Sequence, residues 1–297
     1  MTIELRLSDV DPPAAEPKRT IYRDIVNLPD PVKLGITVRY FNYDDVGLYM
    51  QITGSAAGYT FGTVNLGLLA SGANAYINLD EFASRAKPSV GDLPNGEMSE
   101  NITLTLKGYT DAGYTTLKWT FDRVVTVTWI NSADAAFTVD FLNNFDDGTV
   151  QGWAGAGEYL LSVVALAAAT AYVLSPPYGL RANIYDSGGG YDVQGRIYKS
   201  FATPNKSKVF AVIDIRASPN YYCNGIQIRK NSEVLVQLGK WVFEAADSAP
   251  KAKWIRIVVP LPANVTVEVQ IAYKGQYQSP TWNANYYWLD DFKIISK

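Results

Sequence analysis

NYYWLDDFKIISK, residues 285–297, sets two adjacent carboxylates inside a run of aromatic and aliphatic residues. That composition reads as a β-strand, and a strand sends successive side chains to opposite faces. Asp290 is therefore expected on the side of Trp288, Phe292 and Ile294, with Asp291 on the side of Leu289 and Lys293. The first of these faces is mostly apolar, which turns Asp290 inward. An unpartnered buried carboxylate is costly, so an arginine, a set of hydrogen-bond donors or a metal ion is expected beside it.

The sequence leading up to this stretch is strand-like as well. GLRANIYD (179–186), KVFAVIDIRA (208–217), GIQIRK (225–230), EVLVQLGKWVF (233–243), WIRIVVPL (254–261) and VTVEVQIAY (265–273) follow one another at sandwich-like spacing without a long amphipathic helix. A first series precedes them: ITVRYF (36–41), NITLTLKGY (101–109), TTLKWTF (115–121) and VVTVTWI (124–130) alternate apolar and polar residues. The polar break NSADA (131–135) separates the two series. EFASRA (81–86) reads as a turn or two of helix. Prolines in DPPAAEPK (11–18) and LPDPVKLG (28–35) disfavour regular structure ahead of the first series. The expected organisation is an extended arm over 1–35, an Ig-like or related β-sandwich over 36–135, and a jelly-roll β-sandwich over 136–297, an all-β chain. TIELRL (2–7) alternates like an edge strand able to join an exposed sheet edge.

Composition narrows the chemistry. The chain has 297 residues, 47% of them hydrophobic, enough for two cores. Its 26 basic and 29 acidic residues give a net charge of -3 and no electrostatic reason to expect nucleic acid. There is no histidine, which excludes Ser-His-Asp and Cys-His catalysis and histidine-ligated metals. The single cysteine, Cys223, forms no intrachain disulfide. The longest apolar run, LLSVVALAAATAYVL (160–174), is short for a bilayer crossing and is expected in a buried strand pair or core segment, with no membrane insertion. The N-terminus lacks the pattern of a signal peptide.

FLNNFDDGTVQGW (141–153), SPPYGLRANI (175–184), VTVEVQIAYKG (265–275) and YYWLDDFKI (286–294) together resemble a jelly-roll carbohydrate-binding module of the galactose-binding-like kind, over roughly residues 138–297. The resemblance implies a structural calcium where the first and last strands meet, with Asp290 facing Asp146 or Asp147. The chain departs from the common opening phrase in having no glutamate beside its first aromatic residue. A buried arginine such as Arg181 or Arg256 is the alternative partner for Asp290.

Two further roles remain for this half. A glycosidase needs two carboxylates across a cleft; Asp146, Asp147, Glu244, Glu268, Asp290 and Asp291 are the candidates, but Glu268 alternates outward on VTVEVQIAY without an acidic partner, as on a solvated strand face, and no catalytic residue is expected. The aromatic cluster YKGQYQSPTWNANYYW (273–288) suits sugar stacking, with Tyr277, Trp282 and Tyr286 as the ligand platform, or alternatively a subunit contact. The expected function is a noncatalytic structural or attachment protein of a virion, filament or cell surface. It would self-assemble as a homo-oligomer and display a glycan-binding-like jelly roll at a virion or extracellular surface. The rival reading is a carbohydrate-binding accessory module of a polysaccharide-degrading system.

Overall fold

The computed structural model describes residues 2–7, 20–26, 28–157, 162–169, 174–175, 177–186, 193–217, 222–230, 233–238, 254–275 and 285–297. The chain divides into two compact units, Met1–Asn131 and Ser132–Lys297. Among the described residues no helix is long and apolar enough to cross a membrane.

The first unit is built from β1 (Thr2–Leu7), β2 (Thr20–Asp24), β3 (Val32–Asn42), β4 (Leu48–Ser55), β5 (Tyr59–Phe61), β6 (Val64–Leu69), β7 (Asn74–Arg85), β8 (Glu97–Tyr109) and β9 (Leu117–Ile130). They form two sheets, ordered β1-β3-β7-β5 and β2-β9-β8-β4-β6. Alternation does what the sequence predicts: Ile102, Leu104 and Leu106 of β8 and Val125, Val127 and Trp129 of β9 enter one core with Val38 and Leu34 of the opposite sheet. The runs 115–121 and 124–130, read as two strands, are one continuous β9.

The N-terminal segment differs from the expected arm. Thr2–Leu7 pairs in parallel with β3, from Thr2 opposite Thr37 to Leu7 opposite Asn42. Thr20–Asp24 pairs in parallel with β9. Both are edge strands of this same unit, and β3 itself begins at Val32, inside the proline-bearing stretch. EFASRA is not helical either. Most of it lies in β7, where Glu81 adopts φ 50° next to a register shift against β3. That bulge interrupts the period-two pattern and imitates a helical spacing in the sequence.

The second unit comprises β10 (Thr138–Asn143), β11 (Ala154–Gly157), β12 (Ser162–Ala169), β13 (Gly179–Asp186), β14 (Val193–Ala202), β15 (Val209–Ala217), β16 (Tyr222–Lys230), β17 (Glu233–Leu238), β18 (Ile255–Leu261), β19 (Thr266–Gly275) and β20 (Asn285–Ser296). One sheet runs β12-β13-β20-β15-β18, with β10 also pairing β20; the other runs β11-β14-β19-β16-β17. Among the described residues every pairing in this unit is antiparallel, as a jelly-roll sandwich requires. Between the sheets lie Ile197, Val269 and Ile271 from one side and Ile213, Leu289 and Phe292 from the other.

Candidate functional site

The site sought in the sequence centres on β20. Strict alternation would put Asp290 with Phe292 and Ile294, but the strand does not alternate strictly. Val212 of β15 opposes Lys293 while Asp214 opposes Asp290, so β20 carries one extra residue between them. That residue is Asp291, at φ 45°. Such a bulge reverses the facing of everything beyond it. Leu289, Phe292 and Ile294 consequently enter the inter-sheet core, whereas Trp288 and Asp290 stand outside that cluster. Asp290 is buried as expected, with 0% exposure, but not among the core side chains the pattern assigned to it.

Its partners are backbone donors. Leu174 N–H and Ser175 N–H both donate to Asp290 Oδ2 at 2.8 Å, Ser175 Oγ–H donates to Oδ1 at 3.0 Å, and Asp291 N–H donates to Oδ1 at 2.9 Å. Four donors on two oxygens satisfy this carboxylate and tie residues 174–175 to the last strand. Burial nevertheless pushes the Asp290 carboxyl above its ordinary value, against the pull of the Ser175 and Leu174 donors.

Neither arginine considered in the sequence has a recorded contact with Asp290. Arg256 takes Asp214 instead: its Nε–H donates to Oδ1 at 2.8 Å and its Nη2 binds Oδ2 in a two-pronged pair. Both side chains are almost sealed, at 8% and 3% exposure. Asp214 is raised, by burial first, with Arg256 opposing the shift. Arg181 and Arg216 sit in register on either side of Trp288, and the Arg216 guanidinium lies 5.6 Å from the indole centroid. The outer side of this sheet thus carries two cross-strand rows, Arg181–Trp288–Arg216 and Asp290–Asp214–Arg256.

The opening loop is organised differently from a calcium site. Asp147 accepts the Thr149 N–H and hydroxyl, each at 2.9 Å, and Asp146 accepts the Asn144 side-chain amide, both being local turn contacts. The buried Asn143 side chain accepts Trp153 Nε1–H at 3.1 Å and donates to Gln151 Oε1 at 2.7 Å. The cation at these oxygens is the Lys199 ammonium, which donates to Asn143 Oδ1 at 2.9 Å and to the Gln151 carbonyl. It lies 4.7 Å and 5.4 Å from the Phe141 and Phe201 ring centroids, and burial holds it below its ordinary pKa. Among the described residues no three acidic or thiol side chains gather into a metal-binding group. A calcium ion on Asp290 would have to displace four donors, so the residues do not fit that ion there.

Of the expected platform, Tyr277 and Trp282 lie outside the described residues. Tyr286 is described by its backbone alone, opposite Asn183 and two residues before Trp288.

A polar cluster that the sequence reading passed over lies in the first unit. Glu100 shares the inward side of β8 with Ile102, Leu104 and Leu106, and three donors converge on its Oε2: Tyr59 Oη at 2.6 Å, Trp129 Nε1 at 2.9 Å and Arg85 Nη1. Burial pushes the Glu100 carboxyl up, and the Arg85, Tyr59 and Trp129 donors outweigh it, leaving the group below its ordinary value. The Tyr59 hydroxyl is pushed up to about 12 by burial and by Glu100. The signal was present: Glu100 occupies an apolar-face position of NITLTLKGY extended back by one residue.

No family model matches the chain, and no curated protein matches it. Solved structures with some likeness include carbohydrate-binding modules described as promiscuous members of the β-sandwich superfamily, at 14% identity and TM-score 0.40, covering 89% of this chain and 93% of that one. A cleaved adhesin domain of Lys-gingipain from Porphyromonas gingivalis gives 12% identity and TM-score 0.38, over 53% of this chain and 98% of that chain. A carbohydrate-binding module solved with β-1,4-galactotriose gives 9% identity and TM-score 0.35, over 52% and 94%. At such overlap no ligand or activity transfers to this chain.

Proposed function

We propose that the chain is a noncatalytic attachment protein of a virion, filament or cell surface, which self-assembles and binds saccharide through its C-terminal jelly roll. The observation that supports this reading is how the acids of that unit are used. Asp290 is saturated by backbone and hydroxyl donors, Asp214 is held by Arg256, and Asp147 closes a turn. Glycoside hydrolysis needs a pair of carboxylates facing each other across an open cleft, one holding a proton and one charged; these acids are internal ties.

The role left to the unit is recognition. Tyr277, Trp282 and Tyr286 form the proposed stacking platform, where ring faces meet the C–H faces of a sugar. Tyr286 joins it from the same strand that carries Trp288 between Arg181 and Arg216. The reading as an accessory module of a polysaccharide-degrading system draws on the same strand, and the two separate by solution mass. Native mass spectrometry together with a glycan array tests both: an oligomer retained on defined glycans supports attachment, and a glycan-binding monomer supports the accessory module. Release of free sugar from any retained glycan would contradict a noncatalytic protein of either kind.

A further inference from the structure

Lys199 stands where the strand pattern calls for an apolar side chain. Ile197 and Phe201, two residues to either side on β14, are buried in the inter-sheet core, and a period of two sends the lysine stem the same way. The ammonium at its tip is held by neutral groups. It donates to Asn143 Oδ1 at 2.9 Å and to the Gln151 carbonyl, with the Phe141 and Phe201 ring centroids 4.7 Å and 5.4 Å away. Among the described residues no carboxylate forms an ion pair with it.

Both oxygens are fixed by contacts of their own. Asn143 is buried, and its Nδ2 donates to Gln151 Oε1 at 2.7 Å, which leaves Oδ1 for Lys199 and for Trp153 Nε1–H at 3.1 Å. Gln151 Oε1 also accepts the Phe145 N–H at 3.2 Å. Gln151 and Gly152 are consecutive left-handed residues, at φ 46° and 77°, and this turn presents the Gln151 carbonyl to the ammonium. A Cβ on Gly152 would stand 3.6 Å from both Cε and Nζ of Lys199, so the loop closes directly against the lysine tip. One ammonium therefore joins the end of β10, the 144–153 loop and β14.

Joining a loop to two strands is what a structural metal ion would do at this place, and here different chemistry does it. Calcium takes about six to eight oxygen ligands, carboxylates prominent among them. Two neutral oxygens and two ring faces instead suit a primary ammonium, whose N–H groups serve the oxygens while its charge meets the rings. We propose that Asn143, Gln151, Phe141 and Phe201 form a cation site, selective for a primary ammonium over calcium, whose built-in occupant is Lys199. The second unit thus carries its structural cation on its own chain, whatever ligand the unit binds elsewhere.

Lys199→Ala removes the occupant and leaves its oxygens, so a free ammonium of the right size should take the vacated place. In the full-length protein followed by scanning calorimetry, this change should lower the melting temperature of the second unit by about 5 °C. Ethylammonium should restore it saturably, while calcium, and tetramethylammonium, which has the charge but no N–H, should not. Lys199→Met, which keeps the apolar stem and loses the charge, should melt low and gain nothing from ethylammonium. Wild-type stability in both variants overturns the proposal, as does failure of ethylammonium to restore Lys199→Ala, rescue by calcium, or equal rescue by tetramethylammonium. Should Lys199→Ala not fold, the wild-type protein decides. Under acetylation by an N-hydroxysuccinimide ester, read by peptide mass spectrometry, Lys199 should react about tenfold more slowly than the exposed Lys206 and Lys208. Equal reactivity of the three overturns the proposal.

Discussion

Asp214 and Asp290 are directly opposed across β15 and β20, two carboxylates with 2% and 0% exposure in one cross-strand pair. Directly opposed residues of an antiparallel pair hold their Cβ atoms about 5 Å apart. Two like charges so placed are tolerable because each has its own partners: a guanidinium for Asp214 and three backbone N–H groups with a hydroxyl for Asp290. The pair fastens the 174–175 segment and β18 onto opposite sides of the same two strands.

Asp290→Ala strands three backbone N–H donors and should destabilise the second unit by about 3 kcal/mol. Ser175→Ala removes only the hydroxyl contact and should cost about 1 kcal/mol. Urea denaturation followed by tryptophan fluorescence measures both. Equal effects from the two changes would mean that the backbone donors are not what holds the carboxylate.

Removing calcium should do nothing to this unit. With the Asp290 lone pairs taken and Lys199 as the cation at the opening loop, excess chelator should leave the melting temperature unchanged, and added calcium should not raise it. A calcium-dependent rise that Asp290→Asn abolishes would contradict the geometry.

Acid should act on the two units in opposite directions. Asp214 and Asp290 are raised above 3.8, so their contribution to stability is fully present below that pH and is lost as pH rises through their folded values. Glu100 is lowered below 4.5, so its contribution is present above that pH and is lost as pH falls through its folded value. On acidification, the melting-temperature gap between wild type and Glu100→Gln should therefore shrink, while the gap between wild type and Asp290→Asn should move in wild type's favour. Parallel behaviour of the two variants would refute the assignment.

Deleting residues 1–24 removes β1 and β2 and bares an edge of each sheet in the first unit. The truncated protein should melt at a lower temperature and associate through the exposed edges of β3 and β9. A truncation that keeps the thermal stability of the full chain would show that these strands add nothing to the sandwich.

The architecture was legible wherever one face of a strand is buried. GLRANIYD matches β13 residue for residue, and the alternation in NITLTLKGY and VVTVTWI names the core faces of β8 and β9 correctly. What escaped the reading were bulges and long-range pairings. The extra residue at Asp291 reverses the facing of β20, and a period-two count carries no warning of it. The one at Glu81 disguises a strand end as a helical turn. Asp290 is buried, but on the outer side of the sheet and not beside the Phe292 and Ile294 side chains that argued for it, and its partners at 174–175 lie more than a hundred residues away and donate mainly through backbone atoms, which leave no mark in the sequence. Glu100 was missed because its three donors come from three other strands.

The central claim, recognition without catalysis, is tested most directly by calorimetric titration of the full-length protein with whichever glycan it retains most strongly on an array. The account predicts saturable binding with no reducing sugar released, and a loss of about 1–3 kcal/mol in Trp282→Ala while the melting temperature stays unchanged. Undiminished binding by that variant, or turnover of the glycan by the wild-type protein, would contradict it.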